Sequence, residues 1–299
     1  MKLVLVSDFH LLSKRPIGRV DQILSTQWDK LRFILETAQN LSKIVIQAGD
    51  LFDKPRDWSV LDKFISIKNE YPDVKFYSIY GQHDLYFREF NAVCNMSILE
   101  KLNIIKILSR KRKLLYRFQI VGCSFGETKI PYFDERLETL FVVHAPITNS
   151  NINIEHSSAE LFLKKHPKFK YILCGDIHIP FLLQNKKQII MNTGCIVRHT
   201  RDEINKTYKP FFYILDTDKG NVSIKNIPCL DYADAFLSRK EESSITLNQF
   251  LDDLIEKQTQ STNVLSNIMQ FLATDKTTSI EAKAVIHKLL NDQSIEVTE

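Results

Sequence analysis

Glycine is scarce in this chain, with eight in 299 residues. That excludes a collagen-like repeat or a Gly-rich linker and makes the position of each glycine informative. The five cysteines (Cys94, Cys123, Cys174, Cys195 and Cys229) are odd in number, widely spaced and free of any C-x-x-C pair. A disulfide scaffold and a thiolate zinc module are therefore not expected; inert buried thiols in a reducing cytoplasm are. No apolar run approaches the roughly 18 to 20 residues needed to cross a bilayer. The apolar residues 3–6 are too short a stretch for a signal peptide, so no membrane association is expected. A G-x-x-x-x-G-K-[ST] loop is also lacking, which assigns any use of ATP to another subunit.

What is present is an ordinary globular composition, 44% hydrophobic and 25% charged. The net charge of +4 conceals an asymmetry: residues 241–299 carry ten acids and four bases, leaving 36 bases and 26 acids in the remainder. A basic body suits a polyanionic partner. Short β-branched runs at 2–7, 43–48, 74–80, 140–143, 171–174, 189–191, 211–215 and 222–227 read as strands. Residues 114–123 read as two short strands or a hairpin arm, and 28–40, 59–70 and 92–102 as helices. Alternating strands and helices predict an α/β sandwich with buried sheets. Residues 1–228 form the expected main domain and 229–245 a polar linker. Residues 246–299 form a small helical module with the stripe Leu247, Phe250, Leu251, Leu254 and Ile255.

The chemistry gathers where strands end. Gly49, Gly81 and Gly175 each follow a predicted buried strand. Beside the strand ends lie Asp8 and His10, Asp50 and Asp53, His83 and Asp84, His144, and Asp176 and His178. In α/β folds the carboxyl ends of strands line the ligand crevice. Carboxylates crowded there repel one another and lose hydration, a cost that divalent cations remove. A mixed Asp/His set without thiolate suits manganese, iron, zinc or magnesium, and paired cations suit phosphate-ester hydrolysis.

Asp8-Phe9-His10, Gly49-Asp50-Leu51-Phe52-Asp53, Gly81-Gln82-His83-Asp84, Val143-His144-Ala145-Pro146 and Gly175-Asp176-Ile177-His178 resemble, in order and spacing, the five motifs of calcineurin-like metallophosphoesterases. Within that superfamily the sequence looks most like the SbcD-type nuclease subunit of SbcCD and its phage relatives. The resemblance implies a four-layer αββα sandwich and a cytoplasmic setting in a bacterial or phage-infected cell. It implies that Asp8, His10 and His178 hold one cation, that Asp50 bridges, and that Gln82, His144 and Asp176 hold the second. His83 would face the scissile phosphate and Asp84 would orient it. Gln82 and Asp176 depart from the family's usual asparagine and histidine. The extra carboxylate favours hard ions, Mn2+ or Mg2+, over zinc.

The same resemblance implies cleavage of DNA, exonucleolytic at duplex ends and endonucleolytic on single strands, in repair, recombination or phage genome processing. It also implies an SbcC-type coiled-coil ATPase partner, docked on Leu247, Phe250, Leu251 and Leu254, and a homodimer within a heterotetramer. Two basic clusters, Lys14, Arg15 and Arg19, and Arg110, Lys111 and Arg112, are candidate DNA contacts of the sequence-independent kind. The alternative function is a small-molecule phosphodiesterase or phosphoprotein phosphatase on the same fold. The stretch from Asn192 to His199 is similar to an N-P-G-S segment that follows the last metal motif in relatives, and is expected to line the site or to form a structural turn.

Overall fold

Strand β1 (Lys2–Val6) shows how the layers arise. Leu3 and Leu5 pack with Tyr77, Ile120, Leu140 and Leu173, whereas Val4 and Val6 pack with Leu31, Ile34 and Phe64. Successive strand residues point to opposite faces, so a strand apolar at every position must be covered on both sides. In the computed structural model, which describes residues 1–152 and 155–237, this rule produces four layers of helix, sheet, sheet and helix.

The first sheet pairs β1 in parallel with β2 (Ile44–Gln47), then β3 (Lys75–Ser78) and β4 (Ile105–Ile107). Helices α1 (Ile23–Gln39), α2 (Trp58–Glu70) and α3 (Asn95–Lys101) supply its outer cover. In the second sheet, β5 (Lys113–Leu115) pairs antiparallel with β6 (Phe118–Cys123), and β6 pairs in parallel with β7 (Glu138–His144). The short strands β8 (Ile147–Thr148) and β9 (Ser157–Ser158) lead into α4 (Ala159–Lys165), whose Ala159 and Leu163 cover this sheet's outer face. Then come β10 (Tyr171–Gly175), parallel to β7, and β11 (Phe181–Gln184) with β12 (Ile189–Asn192) at the far edge. After α5 (Glu203–Thr207), the antiparallel pair β13 (Phe211–Asp216) and β14 (Asn221–Asn226) returns to the first sheet beside β1. The expected α/β sandwich is thus observed.

The differences from the expected elements have local causes. Helix α1 begins at Ile23 rather than 28, because polar Gln27 is buried in its first turns and bonds both Leu12 N–H and Leu12 C=O. Strand β11 pairs on one side only and alternates half-buried and exposed residues, and its apolar run Phe181-Leu182-Leu183 is only three residues long. Residues 229–236, assigned to the linker by composition, include α6 (Tyr232–Ala235) and belong to the main body. Ala235 C=O accepts from Val20 N–H at 3.0 Å, Leu230 C=O accepts from Arg198 Nη2 at 2.5 Å, and Phe236 bridges to Arg19. The compact unit therefore extends to Phe236. The remainder of the linker and the expected module at 246–299, with Leu247, Phe250, Leu251 and Leu254, lie outside the described residues. Among the described residues no helix is long and apolar enough to cross a membrane, and Cys94, Cys123, Cys174 and Cys195 are buried free thiols.

Candidate metal centre

Parallel strands deliver their carboxyl ends to one edge. Asp8 and His10 follow β1, Asp50 and Asp53 follow β2, and Gln82, His83 and Asp84 follow β3. His144 ends β7, and Asp176 and His178 follow β10. The turns are tight enough to require glycine at Gly49, which has φ +89° and where a Cβ would sit 2.5 Å from His144 Nδ1. His10, Asp50 and Asp176 take left-handed backbone conformations (φ 48°, 52° and 103°) that residues bearing a side chain rarely adopt. Such strain, held in place by surrounding structure, collects at functional sites.

The ligand atoms converge. His10 Nε2 lies 3.0 Å from His178 Nε2 and 3.5 Å from Asp50 Oδ2. His144 Nε2 lies 3.3 Å from Asp50 Oδ2 and 3.9 Å from Asp176 Oδ1. Asp50 Oδ2 therefore sits between the two histidine groups. Its Oδ1 accepts the N–H of His83 at 2.8 Å, which fixes the carboxylate plane. Asp8 Oδ1 accepts the N–H of Asp176 at 3.0 Å, tying the first motif to the last. His144 Nδ1 donates to Ala48 C=O at 2.7 Å, so in the neutral ring the lone pair is on Nε2, the atom facing the carboxylates. Two sets of three donors, Asp8–His10–His178 and Asp8–Asp50–His144, each have their ligand atoms within 4.8 Å of one another.

The electrostatics of these groups explain why a cation fits. Burial raises the Asp8 carboxyl to about 7, against the pull of His144. Burial also disfavours a charged His144, but Asp50 and Asp8 outweigh it and lift the ring to about 10. Asp50 is buried too, yet the charge of His144, 3.3 Å away, brings it below the usual carboxylate range. His178 is lowered to about 3 by burial and by His10. Asp8 Oδ2, Asp50 Oδ2 and His144 Nε2 are each buried without a hydrogen-bond partner. Unpaired buried polar atoms are costly. Divalent cations would satisfy all three and displace the proton on His144. Asp8, His10, Asp50, His144, Asp176 and His178, all expected from the sequence, are thus brought together. Gln82 lies near Asp176 and favours its charged form, but the Asp176 carboxyl is raised overall by its burial.

The reacting edge is marked by His83, which is exposed beside His10, with ring centroids 4.8 Å apart. The expectation that Asp84 orients His83 is corrected by the geometry. Asp84 is fully buried, and its carboxylate accepts from the N–H groups of Leu51, Phe52 and Gly81 at 3.3, 3.1 and 2.9 Å. It clamps the second and third motif turns together and is a positioning residue. The His83 ring is held instead by Asp53, whose backbone carbonyl accepts from Nδ1 at 3.0 Å. Asp53 is thus a functional residue outside the expected ligand set. Its carboxylate also stands 3.7 Å from His10 Nδ1 and 4.0 Å from His199 Nδ1. The signal for it was the second acid of Gly49-Asp50-Leu51-Phe52-Asp53, three residues beyond the bridging Asp50. His199 packs against His10 at 5.2 Å, so the 192–199 stretch does line the site.

The basic clusters divide. Arg19 is buried, held by Asp21 through two 2.7 Å bonds and by Arg198 C=O at 2.6 Å, and stacked on Phe236. It is structural, contrary to expectation: its guanidinium ties the segment around Phe236 to the site loop. Lys14 and Arg15 are exposed next to the first motif. Arg110 pairs with Glu100 at 3.3 Å, Arg112 bonds Gln119 and covers Tyr132, and Lys111 is exposed.

Comparison with known proteins places this geometry. The family model described as calcineurin-like phosphoesterase matches residues 1–180. No curated protein matches the sequence significantly. Among solved structures, the protein is similar to an archaeal phosphodiesterase (14% identity, 76% of this chain and 100% of that one, TM-score 0.43). It is also similar to a putative 5'-nucleotidase from Staphylococcus aureus (12% identity, 85% and 58% coverage, TM-score 0.46). A third is zinc-complexed Vps29 from Entamoeba histolytica (10% identity, 76% and 98% coverage, TM-score 0.37). With the five motif loops converging on Asp and His donors that fit divalent cations, and a family model matching residues 1–180 of 299, the chain belongs to the calcineurin-like phosphoesterases.

Proposed function

We propose that this metal-dependent phosphoesterase is a DNA nuclease of the SbcD type. In this reading it cleaves phosphodiesters at duplex ends and in single strands and works as a dimer with an SbcC-type coiled-coil ATPase. The observation that carries the nucleic-acid reading is exposed positive charge. Lys14 and Arg15 follow the first motif, Lys54 and Arg56 the second and Arg88 the third, and all five are exposed, as is His83. Exposed cations following three of the motif turns suit a polyanion better than a small ester.

Asp8, His10, Asp50, Gln82, His144, Asp176 and His178 would hold the cations, which would supply Lewis acidity and a water nucleophilic near neutral pH. Asp176, in place of the family's histidine, adds a hard oxygen donor and favours Mn2+ or Mg2+. The protein's own residues supply the rest. Asp50 and Asp8 position the histidine donors. The Asp53 carbonyl keeps a proton on His83 Nδ1, so the opposite nitrogen is the atom that meets substrate. Protonated, Nε2–H donates to a phosphoryl or leaving-group oxygen, and in the neutral ring it accepts.

The test is an assay with Mn2+ on linear duplex DNA, single-stranded DNA and bis(p-nitrophenyl) phosphate. Cleavage of DNA, abolished by His83→Ala, is the expected result. Hydrolysis of the small ester alone would replace this reading by the small-molecule phosphodiesterase one, and turnover of phosphoproteins alone by a phosphatase.

A further inference from the structure

One largely exposed aromatic follows His83 closely in sequence: Phe87, whose ring meets only the edge of the neighbouring Tyr86 ring, with centroids 4.3 Å apart, in the aromatic contacts of the described residues. Phe87 lies four residues after His83, no more than about 14 Å along an extended backbone, and is 79% exposed. It and Arg88 are consecutive left-handed residues (Phe87 φ 53°, ψ 25°; Arg88 φ 59°). Such a pair persists only when neighbours over-determine it, and here they do. Leu85 is buried. The Arg56 guanidinium lies over the Tyr86 ring at 3.4 Å, while its Nε donates to Val93 C=O at 2.8 Å. Arg88 lies over Phe125 at 5.7 Å, and Phe125 in turn packs 6.3 Å from the ligand His144. The residues on either side are pinned, and the strained apex holds a phenyl ring largely in solvent next to the exposed Arg88.

From this arrangement we propose that Phe87 is a specificity residue, a stacking platform for a nucleobase adjoining the scissile phosphate. Every base presents a π-face, so one ring accepts any sequence, and Arg56 and Arg88 lie where flanking phosphates need countercharge. The proposal rests on the nucleic-acid reading of the site and narrows it to substrates with an unstacked base, a single strand or a frayed end. A buried phenyl would stabilise the fold; an exposed one held in a strained turn soon after His83 serves a ligand with a flat face.

The experiment uses the full-length protein with Phe87→Ala and Phe87→Trp. Binding of a fluorescent single-stranded oligonucleotide is followed by anisotropy in EDTA, which prevents cleavage. Phe87→Ala is expected to weaken binding about tenfold and Phe87→Trp to restore it. An abasic oligonucleotide should bind both variants and the parent alike. In Mn2+, the ratio of kcat/KM for the oligonucleotide to that for bis(p-nitrophenyl) phosphate should fall by a similar factor in Phe87→Ala. A thymidine 5'-p-nitrophenyl ester separates two sources of the base: an equal fall there assigns the platform to mononucleotide esters as well, and no fall assigns it to strands. The proposal is overturned if the parent binds no oligonucleotide, if Phe87→Ala leaves affinity unchanged, or if it weakens normal and abasic strands equally. It is also overturned if Phe87→Ala converts an oligomer to a monomer in sedimentation, which would make the ring an interface between copies. If Phe87-dependent binding is found in a protein that hydrolyses only the small ester, the nuclease reading fails while the stacking platform stands.

Discussion

Gly81→Ala adds one methyl group where the fold has no room for it. An added Cβ would lie 2.6 Å from Asp50 Cγ and closer still to Asp50 Oδ1 and N. Carbon atoms rest at about 3.5 to 4.0 Å, so one partner must move by roughly 1 Å. Neither moves alone. Gly81 N–H is bonded to Asp84, which also holds Leu51 and Phe52 beside Asp50. Asp50 Oδ1 receives His83 N–H, and Oδ2 stands between His10 and His144. The displacement therefore reaches the bridging carboxylate and the His83 backbone together. A misplacement of this size costs on the order of 100-fold in rate, about 2.7 kcal/mol of barrier. The assay is Mn2+-dependent hydrolysis of bis(p-nitrophenyl) phosphate, with kcat and KM resolved, beside Mn2+ titration by calorimetry. Both activity and cation affinity are expected to fall, and since Gly81 has no positive φ the loss is one of space and not of backbone conformation. A Gly81→Ala enzyme within threefold of the parent would show that Asp50 does not carry the centre, and the ligand assignment would have to be withdrawn.

Replacing Asp53 by Ala removes the carboxylate beside His10 Nδ1; Mn2+ affinity measured by calorimetry should drop about 10- to 100-fold, the usual effect of losing a carboxylate behind a ligating histidine. Asp176→His should retain or raise Mn2+-dependent cleavage, since histidine also tolerates a positive φ, whereas Asp176→Ala should lose activity; equal loss in both would count against Asp176 as a ligand. Lys30 is buried near Arg19 and Arg198 with its Nζ on Ile196 C=O, and burial lowers its pKa to about 8 from 10.5. The unfolded state thus holds this proton more tightly, so the penalty is complete below pH 8 and fades as pH rises toward 10.5, a span of about 3 kcal/mol. Urea titrations from pH 7.5 to 10 should show the parent gaining stability relative to Lys30→Met, and a pH-independent difference would refute the buried charge.

The strands were legible because burial on both faces leaves no polar position to blur the signal. β1, β2, β7 and β10 each carry an unbroken apolar run, and Gly49, Gly81 and Gly175 announce the turns that end β2, β3 and β10. The sequence was least informative where one face of an element meets water. β11 alternates, and α4 spends two of its seven residues, Lys164 and Lys165, on the charged end of the helix. Which strands share a sheet was also hidden, since runs that pack on opposite sides of one interface read alike. Only pairing separates Leu5 from Leu173, which meet across the two sheets.

The site was legible for a different reason. Ligation demands particular side chains at particular turns, and six of the expected donors converge. What could not be read was how each charged residue spends its charge. Asp84 and Asp53 are both acids within three residues of a ligand or a catalytic imidazole, and the sequence offers no ground for ranking them. The fold does: the Asp84 carboxylate is consumed by three backbone N–H groups, while Asp53 keeps its carboxylate near two imidazoles and lends its carbonyl to a third. Arg19 and Arg15 differ in the same way. Arg19 is spent on Asp21 and a buried carbonyl, and Arg15 stays in solvent where a phosphate would pass. A charge already satisfied inside the protein is unavailable to substrate. Neutralising Arg15 should therefore weaken binding to an oligonucleotide and flatten its salt dependence, whereas neutralising Arg19 should lower the unfolding midpoint and leave the salt slope of the remaining folded protein intact.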